Sequence, residues 1–235
     1  GLFMSDNKGF LYEQTINKNL KKYKLQDSTF EGAGSDSNAP DAELKLGTQK
    51  YKVEVKLDLN VDFGQGSLDY DLKAKKWKLG GANTVSAIQM REFLEGVGVP
   101  ALVQKKWGAH GAPRKYTVPF SQYKQKDVDY DYAKFTDQFV DIPKDSVAKY
   151  YNSKKTYYIQ IGGFGLYHMG KDVAKIGTPE FNLQLRLRIR LKRGGSTPIY
   201  NYRFATAIQA VKGSLQKSSC DLDNVDFLKA IKARN

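Results

Sequence analysis

Apolar residues recur along this chain with two periods. Near the start, Phe10, Leu11, Ile16, Leu20, Tyr23 and Leu25 fall at helical spacing, with lysines 18, 21, 22 and 24 on the other faces. This predicts a helix over residues 10–25, with Glu13 at the edge of the apolar stripe. Residues 27–41 form a long polar loop. The period then changes to two: 44–46 and 50–62 are predicted strands joined at Gly47-Thr48, and in Tyr51–Leu57 the positions Val53, Val55 and Leu57 alternate with Glu54 and Lys56. Successive strand side chains point to opposite faces, so Glu54 and Lys56 share one face and the valines the other.

Residues 58–71 alternate but contain Gly64 and Gly66, which suggests a hairpin there, and 77–79 is a short strand. Residues 84–96 are the second clear helix, with Thr84 as N-cap, Gly96 as stop, and Val85, Ile88, Phe93 and Leu94 as its apolar side. Residues 99–107 are expected to be a strand, 129–139 and 143–152 helices, and 157–161 a short buried strand. A hairpin is expected from 181–192 and 199–208 across Gly194–Pro198. A terminal helix covers 225–233, capped by Asp223 or Asn224. There is no internal repeat.

Composition narrows the chemistry. The 235 residues carry a net charge of +13, with 15 tyrosines and 12 phenylalanines. A chain so basic commonly has a polyanionic partner, and nucleic acid is the first candidate. Cys220 is the single cysteine and His110 and His168 the only histidines. Disulfides within the chain and cysteine-based zinc sites are therefore excluded, and any metal site must use oxygen ligands, which suits Mg²⁺ or Mn²⁺. No apolar run approaches the roughly 18 residues of a membrane span, and no signal-peptide core is present. Met4 is taken as the natural start, with Gly1-Leu2-Phe3 as added residues, and the expected location is the cytoplasm.

The most informative residues are Asp41, which follows Pro40 at the end of the polar loop, and the tripeptide Glu54-Val55-Lys56. Two acids and a lysine brought together can hold a divalent cation and set a positive charge near a water, as metal-assisted phosphodiester hydrolysis requires. With Gly34-Ser35 six residues upstream, the twelve residues 42–53 between Asp41 and Glu54, and Glu13 on the preceding helix, this region resembles the PD-(D/E)XK nuclease superfamily. That superfamily includes many type II restriction enzymes and the archaeal Holliday-junction resolvases. The likeness covers residues 8–60 and extends to the helix at 84–95, on which Gln89 occupies a place where some subfamilies carry a supporting glutamine. The same four residues also fit a hairpin with Asp41 in its turn and a solvated strand face.

The resemblance implies an α/β fold, with a mixed central sheet flanked by helices in a restriction-endonuclease-like core. Residues 1–125 would form that core. Residues 126–235 would be a β-rich extension of the same domain that completes the sheet and lines a DNA cleft. It further implies that Asp41, Glu54 and Glu13 hold Mg²⁺ (or Mn²⁺), with the Val55 carbonyl as a further ligand, and that Lys56 orients the attacking water or stabilises charge on the phosphate. The activity implied is a magnesium-dependent DNA endonuclease, restriction-like and sequence-specific. A junction, repair or phage-type structure-selective nuclease and a non-catalytic DNA-binding protein are the alternatives. Double-stranded DNA is the expected partner. Cutting both strands takes two active sites or two visits, which admits a homodimer.

Two basic segments are candidates for contacting that DNA. In residues 183–192, Leu183, Leu185, Leu187, Ile189 and Leu191 alternate with Gln184, Arg186, Arg188, Arg190 and Lys192. One strand face would then present a row of cations spaced about 6.8 Å apart, either to phosphates or to acids on a neighbouring strand. Lys105, Lys106, Arg114 and Lys115 flank a glycine-containing loop with aromatics beside them. The run Gly165–Asp172 nearly matches a phosphate-binding loop, but Asp172 replaces the required hydroxyl residue and excludes that reading.

Overall fold

The computed structural model describes residues 7–32, 40–194 and 200–235. The Gly34–Asn38 part of the resemblance and the turn at 195–198 lie outside them. In chain order the elements are α1 (Asn7–Lys22), β1 (Ala42–Leu46), β2 (Gln49–Lys56), β3 (Gly64–Asp71), β4 (Lys76–Leu79), α2 (Val85–Gly96), α3 (Val99–Trp107), α4 (Arg114–Thr117), α5 (Gln125–Lys134), β5 (Gln138–Asp141), α6 (Lys144–Ser153), β6 (Thr156–Ile161), β7 (Gly165–His168), β8 (Leu185–Arg193), β9 (Tyr202–Ala210) and α7 (Val225–Arg234). The expected mixed α/β class is borne out. No described helix is long and apolar enough to cross a membrane.

The strands divide into two sheets rather than one, and the chain folds as two compact units. Unit 1 comprises Gly1–Val61, Pro143–Gln184 and Ala210–Asn235, and unit 2 comprises Asp62–Ile142 and Leu185–Gln209. The units are interleaved in sequence, so no single boundary near residue 125 separates them. Strands β8 and β9 belong to the second sheet and do not extend the sheet that carries Glu54.

Unit 1 holds a four-stranded mixed sheet in the order β1-β2-β6-β7. Its β1–β2 and β6–β7 pairs are antiparallel and its β2–β6 pair is parallel. Ile16 and Leu20 of α1, Leu44 of β1, Val53 and Val55 of β2, and Leu228 of α7 form its core. Helix α1 ends before Tyr23 because Lys24 takes a left-handed conformation (φ 58°) and Leu25 N–H donates to the Leu20 carbonyl at 2.8 Å. Leu11, expected in the apolar stripe, is 57% exposed. Asp27, beyond the helix, bridges Lys45 at 2.8 Å and Lys50 at 2.6 Å, and both lysines hold its carboxyl at about 2, below the usual range.

Unit 2 holds a five-stranded sheet in the order β4-β3-β9-β8-β5. One face packs on an aromatic core in which Trp77 stands 5.0 Å from Trp107 and 5.1 Å from Phe204 between ring centroids. Gly64 and Gly66 do not make a turn: both lie inside β3. A Cβ at Gly64 would sit 2.9 Å from the Phe93 ring, and one at Gly66 would sit 2.7 Å from Leu94 Cδ1, so the glycines let α2 approach the strand. Thr84 caps α2 as expected, accepting from Ala87 N–H. Phe93 and Leu94 are buried, whereas Val85 and Ile88 are exposed.

Residues 99–107 are the helix α3 and not a strand. Gly98 opens it from a left-handed conformation with Pro100 in the first turn. The three buried residues Val99, Val103 and Trp107 recur every fourth position, a helical repeat that β-branched composition disguises.

Candidate functional site

The turn at Gly47-Thr48 sets the register of the β1–β2 hairpin. Ala42 pairs with Val53, Glu43 with Lys52 and Leu44 with Tyr51. Continued by one residue, this antiparallel register sets Asp41 opposite Glu54. The Val55 N–H donates to Asp41 Oδ2 at 3.0 Å, which fixes the carboxylate at the end of the ladder. On β2, Val53 and Val55 are buried, while Glu54 and Lys56 are half-buried on the other face. Lys56 Nζ lies 3.9 Å from Glu54 Oε1, and the two side chains retain 18% and 22% of their exposure.

Helix α1 brings Glu13 toward the same place. One turn after Glu13, the Asn17 side chain donates to the Asp41 carbonyl at 2.9 Å and accepts from Gln26 Nε2 at 2.8 Å. Gln26 also donates to the Glu43 carbonyl at 3.0 Å. These bonds pin the helix face that carries Glu13 to the start of β1, since residues four apart on a helix lie on one side.

The electrostatics follow from this crowding. Burial, then the Asp41 carboxylate, push Glu13 up to about 7, against a lowering pull from Lys56. Burial and the Asp41 carboxylate likewise hold Glu54 well above the usual carboxylate range. Two carboxylates set opposite one another repel unless one is protonated, and a cation between them does the same work. Tyr151 of α6 belongs to the group as well. Burial and the Glu54 and Asp41 carboxylates push its phenol well above its ordinary value, so it stays protonated as a donor.

Among the described residues, no three acidic, imidazole or thiol side chains are gathered as a ready-made cage for a metal. Glu13 acts on the Asp41–Glu54 pair across space. The donor set still fits a hard divalent cation: it is all oxygen, it carries excess negative charge at a partly enclosed place, and its protonation is what a cation would displace. Asp41 and Glu54 would hold such an ion, with Glu13 joining directly or through water. The backbone contact that Val55 contributes is its N–H, to Asp41.

A second polar cluster supports this end of unit 1. Gln160 of β6, fully buried and paired across the ladder with Val55, donates to Tyr12 Oη at 3.1 Å and to Asp221 Oδ1 at 2.7 Å. It accepts from Leu222 N–H at 3.1 Å, while Tyr12 donates to Asp223 at 2.5 Å. Tyr12 precedes Glu13 in the chain, so this network fastens the helix turn that carries Glu13. Asp172, at the near-miss of a phosphate loop, is used internally: it accepts from Tyr158 Oη at 2.5 Å and from the Ile176 and Gly177 N–H groups.

The expected DNA-contacting residues all lie in unit 2, as does Gln89 on α2. Leu185, Leu187 and Ile189 of β8 are buried, and Arg186, Arg188, Arg190 and Lys192 alternate with them, as expected. The four cations are not equivalent. Arg188 forms a two-pronged pair with Asp137 (2.7 Å at the closer contact), and the Arg186 guanidinium lies 4.2 Å from the Phe139 ring centroid on β5. Lys105 and Lys106 are exposed in the last turn of α3, where the helix dipole favours cations. The Arg114 guanidinium stacks 4.0 Å from the Tyr130 ring centroid. Lys115 turns inward, and its ammonium donates to the Tyr202 carbonyl. Buried Asp131 shapes this loop by accepting the Arg114 and Lys115 N–H groups at 2.6 and 2.9 Å.

Comparison with family models, with curated proteins and with solved structures returned no match for this chain.

Proposed function

We propose that unit 1 is the catalytic centre of a magnesium-dependent DNA endonuclease of the PD-(D/E)XK kind. The observation that carries this reading is the hairpin register: it sets Asp41 beside Glu54, ties Asp41 to the Val55 N–H, and leaves Lys56 Nζ 3.9 Å from the Glu54 carboxylate. A solvated strand face does not explain two acids set opposite one another at the end of the ladder, one tied to the Val55 N–H and the other with a half-buried lysine beside it.

Each residue has a part. Asp41 and Glu54 hold the cation, and Glu13 completes the charge around it. A bound divalent cation supplies Lewis-acid activation of water and charge neutralisation at the phosphate. Lys56, set beside these acids, orients the attacking water or stabilises negative charge on the phosphate oxygens. Tyr151, kept protonated by burial and by the Glu54 and Asp41 charges, offers a hydroxyl donor to this acidic pair. The net charge of +13 favours a polyanionic substrate.

The test is incubation with supercoiled plasmid, linear duplex and a four-way junction, each with Mg²⁺, Mn²⁺ or EDTA. The expected result is metal-dependent cutting that EDTA stops and that Asp41→Ala and Glu54→Ala both lose. Discrete plasmid fragments indicate sequence recognition, and preferential cutting of the junction indicates structure recognition. No cutting of any substrate in either metal, together with no Mg²⁺-induced rise in melting temperature, overturns the proposal.

A further inference from the structure

The open face of the unit 2 sheet carries a concavity of about 310 Å³. Strands β3 and β9 pair in the register Gln65–Ala207 and Ser67–Ala205, and these four side chains alternate with the buried Leu68, Phe204 and Ile208. The floor is therefore made of two alanines, Ser67 and the longer, exposed Gln65. Cations rise around it: Arg190 and Lys192 from β8, and Arg203 from β9. Asp62 stands at the rim as the anion among them.

The cations on this face divide into two groups. Arg188 is held by Asp137 and Arg186 by Phe139 and Gln209. Among the described residues, the Arg190, Lys192 and Arg203 side chains make no salt bridge or hydrogen bond. Three cations around a small polar floor repel one another and leave a strong positive potential in a concave place, which focuses the field on any anion that enters. The alternation of β8 spaces Arg190 from Lys192 by about 6.8 Å, which suits successive phosphates on one nucleic-acid strand. The low alanine floor leaves room for the sugar-phosphate chain between them.

We propose that this face is a backbone-binding trough for one strand of DNA, in which Arg190, Lys192 and Arg203 contact phosphates while Arg186 and Arg188 are structural. Asp62 opposes binding and sets its strength. The choice of DNA as the polyanion rests on the nuclease reading. The trough itself is a separate site in unit 2 and is tested without catalysis.

The experiment measures binding of a fluorescent duplex oligonucleotide to the full chain in EDTA, over a range of salt. The triple variant Arg190→Gln, Lys192→Gln, Arg203→Gln is compared with a charge-matched control, Lys73→Gln, Lys154→Gln, Lys229→Gln. Thermal melts establish that each variant is folded. The trough variant is expected to bind roughly tenfold or more weakly, with a salt slope shallower by about 0.9 for each phosphate it no longer neutralises. The control should stay near wild type, and Asp62→Asn should bind more tightly. Equal weakening in the two triple variants would assign binding to overall charge and overturn the trough. A wild-type chain that binds no DNA in EDTA would overturn it too. Cleavage is read separately: a chain that cuts DNA with an intact salt slope in the trough variant keeps the nuclease reading and loses this one.

Discussion

Asp41 accepts a hydrogen bond from the Val55 backbone N–H at 3.0 Å. The bond closes the β1–β2 ladder with a side chain where another backbone carbonyl would stand. It also aims a carboxylate at the strand that carries Glu54 and Lys56. Asp41 thus has two separable duties: an acceptor for Val55 and a negative charge beside Glu54.

Substitution at Asp41 separates these duties. Asp41→Asn keeps an acceptor oxygen for Val55 and removes the charge, whereas Asp41→Ala removes both. Both variants should lose cleavage and Mg²⁺-induced stabilisation. Only the alanine variant should lose the bond, at a cost of about 1 kcal/mol, or roughly 2–4 °C in melting temperature for a chain of this size. Plasmid cleavage by Asp41→Asn at near the wild-type rate would remove Asp41 from the metal site.

Lys56 is held 3.9 Å from Glu54 and is largely withdrawn from solvent. If it stabilises charge in the reaction, Lys56→Ala should slow single-turnover cleavage by roughly 10²-fold or more. Lys56→Arg should recover only part, because a planar fork cannot reproduce a compact ammonium. Mg²⁺ binding, read by thermal shift, should survive in both. A Lys56→Ala enzyme that cuts at full rate would reduce this lysine to a counter-ion.

Gly162 follows β6, and its N–H donates to the Lys56 carbonyl at 2.9 Å. A Cβ there would fall 1.9 Å from the Leu57 carbonyl oxygen and 3.3 Å from the Tyr12 ring. The backbone oxygen has no flexible side-chain end to move, so Gly162→Ala must shift the end of the Glu54–Lys56 strand. The expected cost is about 1–3 kcal/mol, with a loss of cleavage measured well below the melting temperature. An unchanged melt would show that the two strands part at this point without cost.

The two-residue period of β2 made the shared face of Glu54 and Lys56 legible in the sequence, because a strand fixes side-chain direction whatever surrounds it. The approach of Asp41 was legible as a motif, but its position opposite Glu54 depends on the register set by Gly47-Thr48. Tyr151, Asn17 and Gln160 carry no such signal: tertiary packing alone brings Tyr151 and Asn17 to the acids and Gln160 to the network behind Tyr12. The glycines of β3 misled because a residue that permits turns also permits close packing, and only the positions of Phe93 and Leu94 distinguish the two. The basic row on β8 was legible as a face. The pairing of Arg188 with Asp137 was not, since it depends on how β5 docks. The interleaving of the units was hidden for the same reason: neighbours in the chain are separated by folding into different sheets.

Glu13 gives a pH-dependent test of the crowding at Asp41. Its folded-state carboxyl is raised from 4.5 to about 7 by burial first and by Asp41 second. The folded protein therefore holds that proton more tightly than the unfolded chain does. Below pH 4.5 both states are protonated and the site costs nothing. As pH rises from 4.5 to 7, the unfolded chain ionises freely while the folded one resists, so the metal-free protein loses stability across that window. Glu13→Gln removes the titration. In EDTA its melting temperature should match wild type near pH 4 and exceed it near pH 8, by roughly 2–4 °C if about 1 kcal/mol is relieved. With saturating Mg²⁺ at about pH 8 the order should shrink or reverse, because the cation offsets in wild type the repulsion that the variant lacks. A constant difference between the two proteins from about pH 4 to about pH 8 would separate Glu13 from the acidic pair.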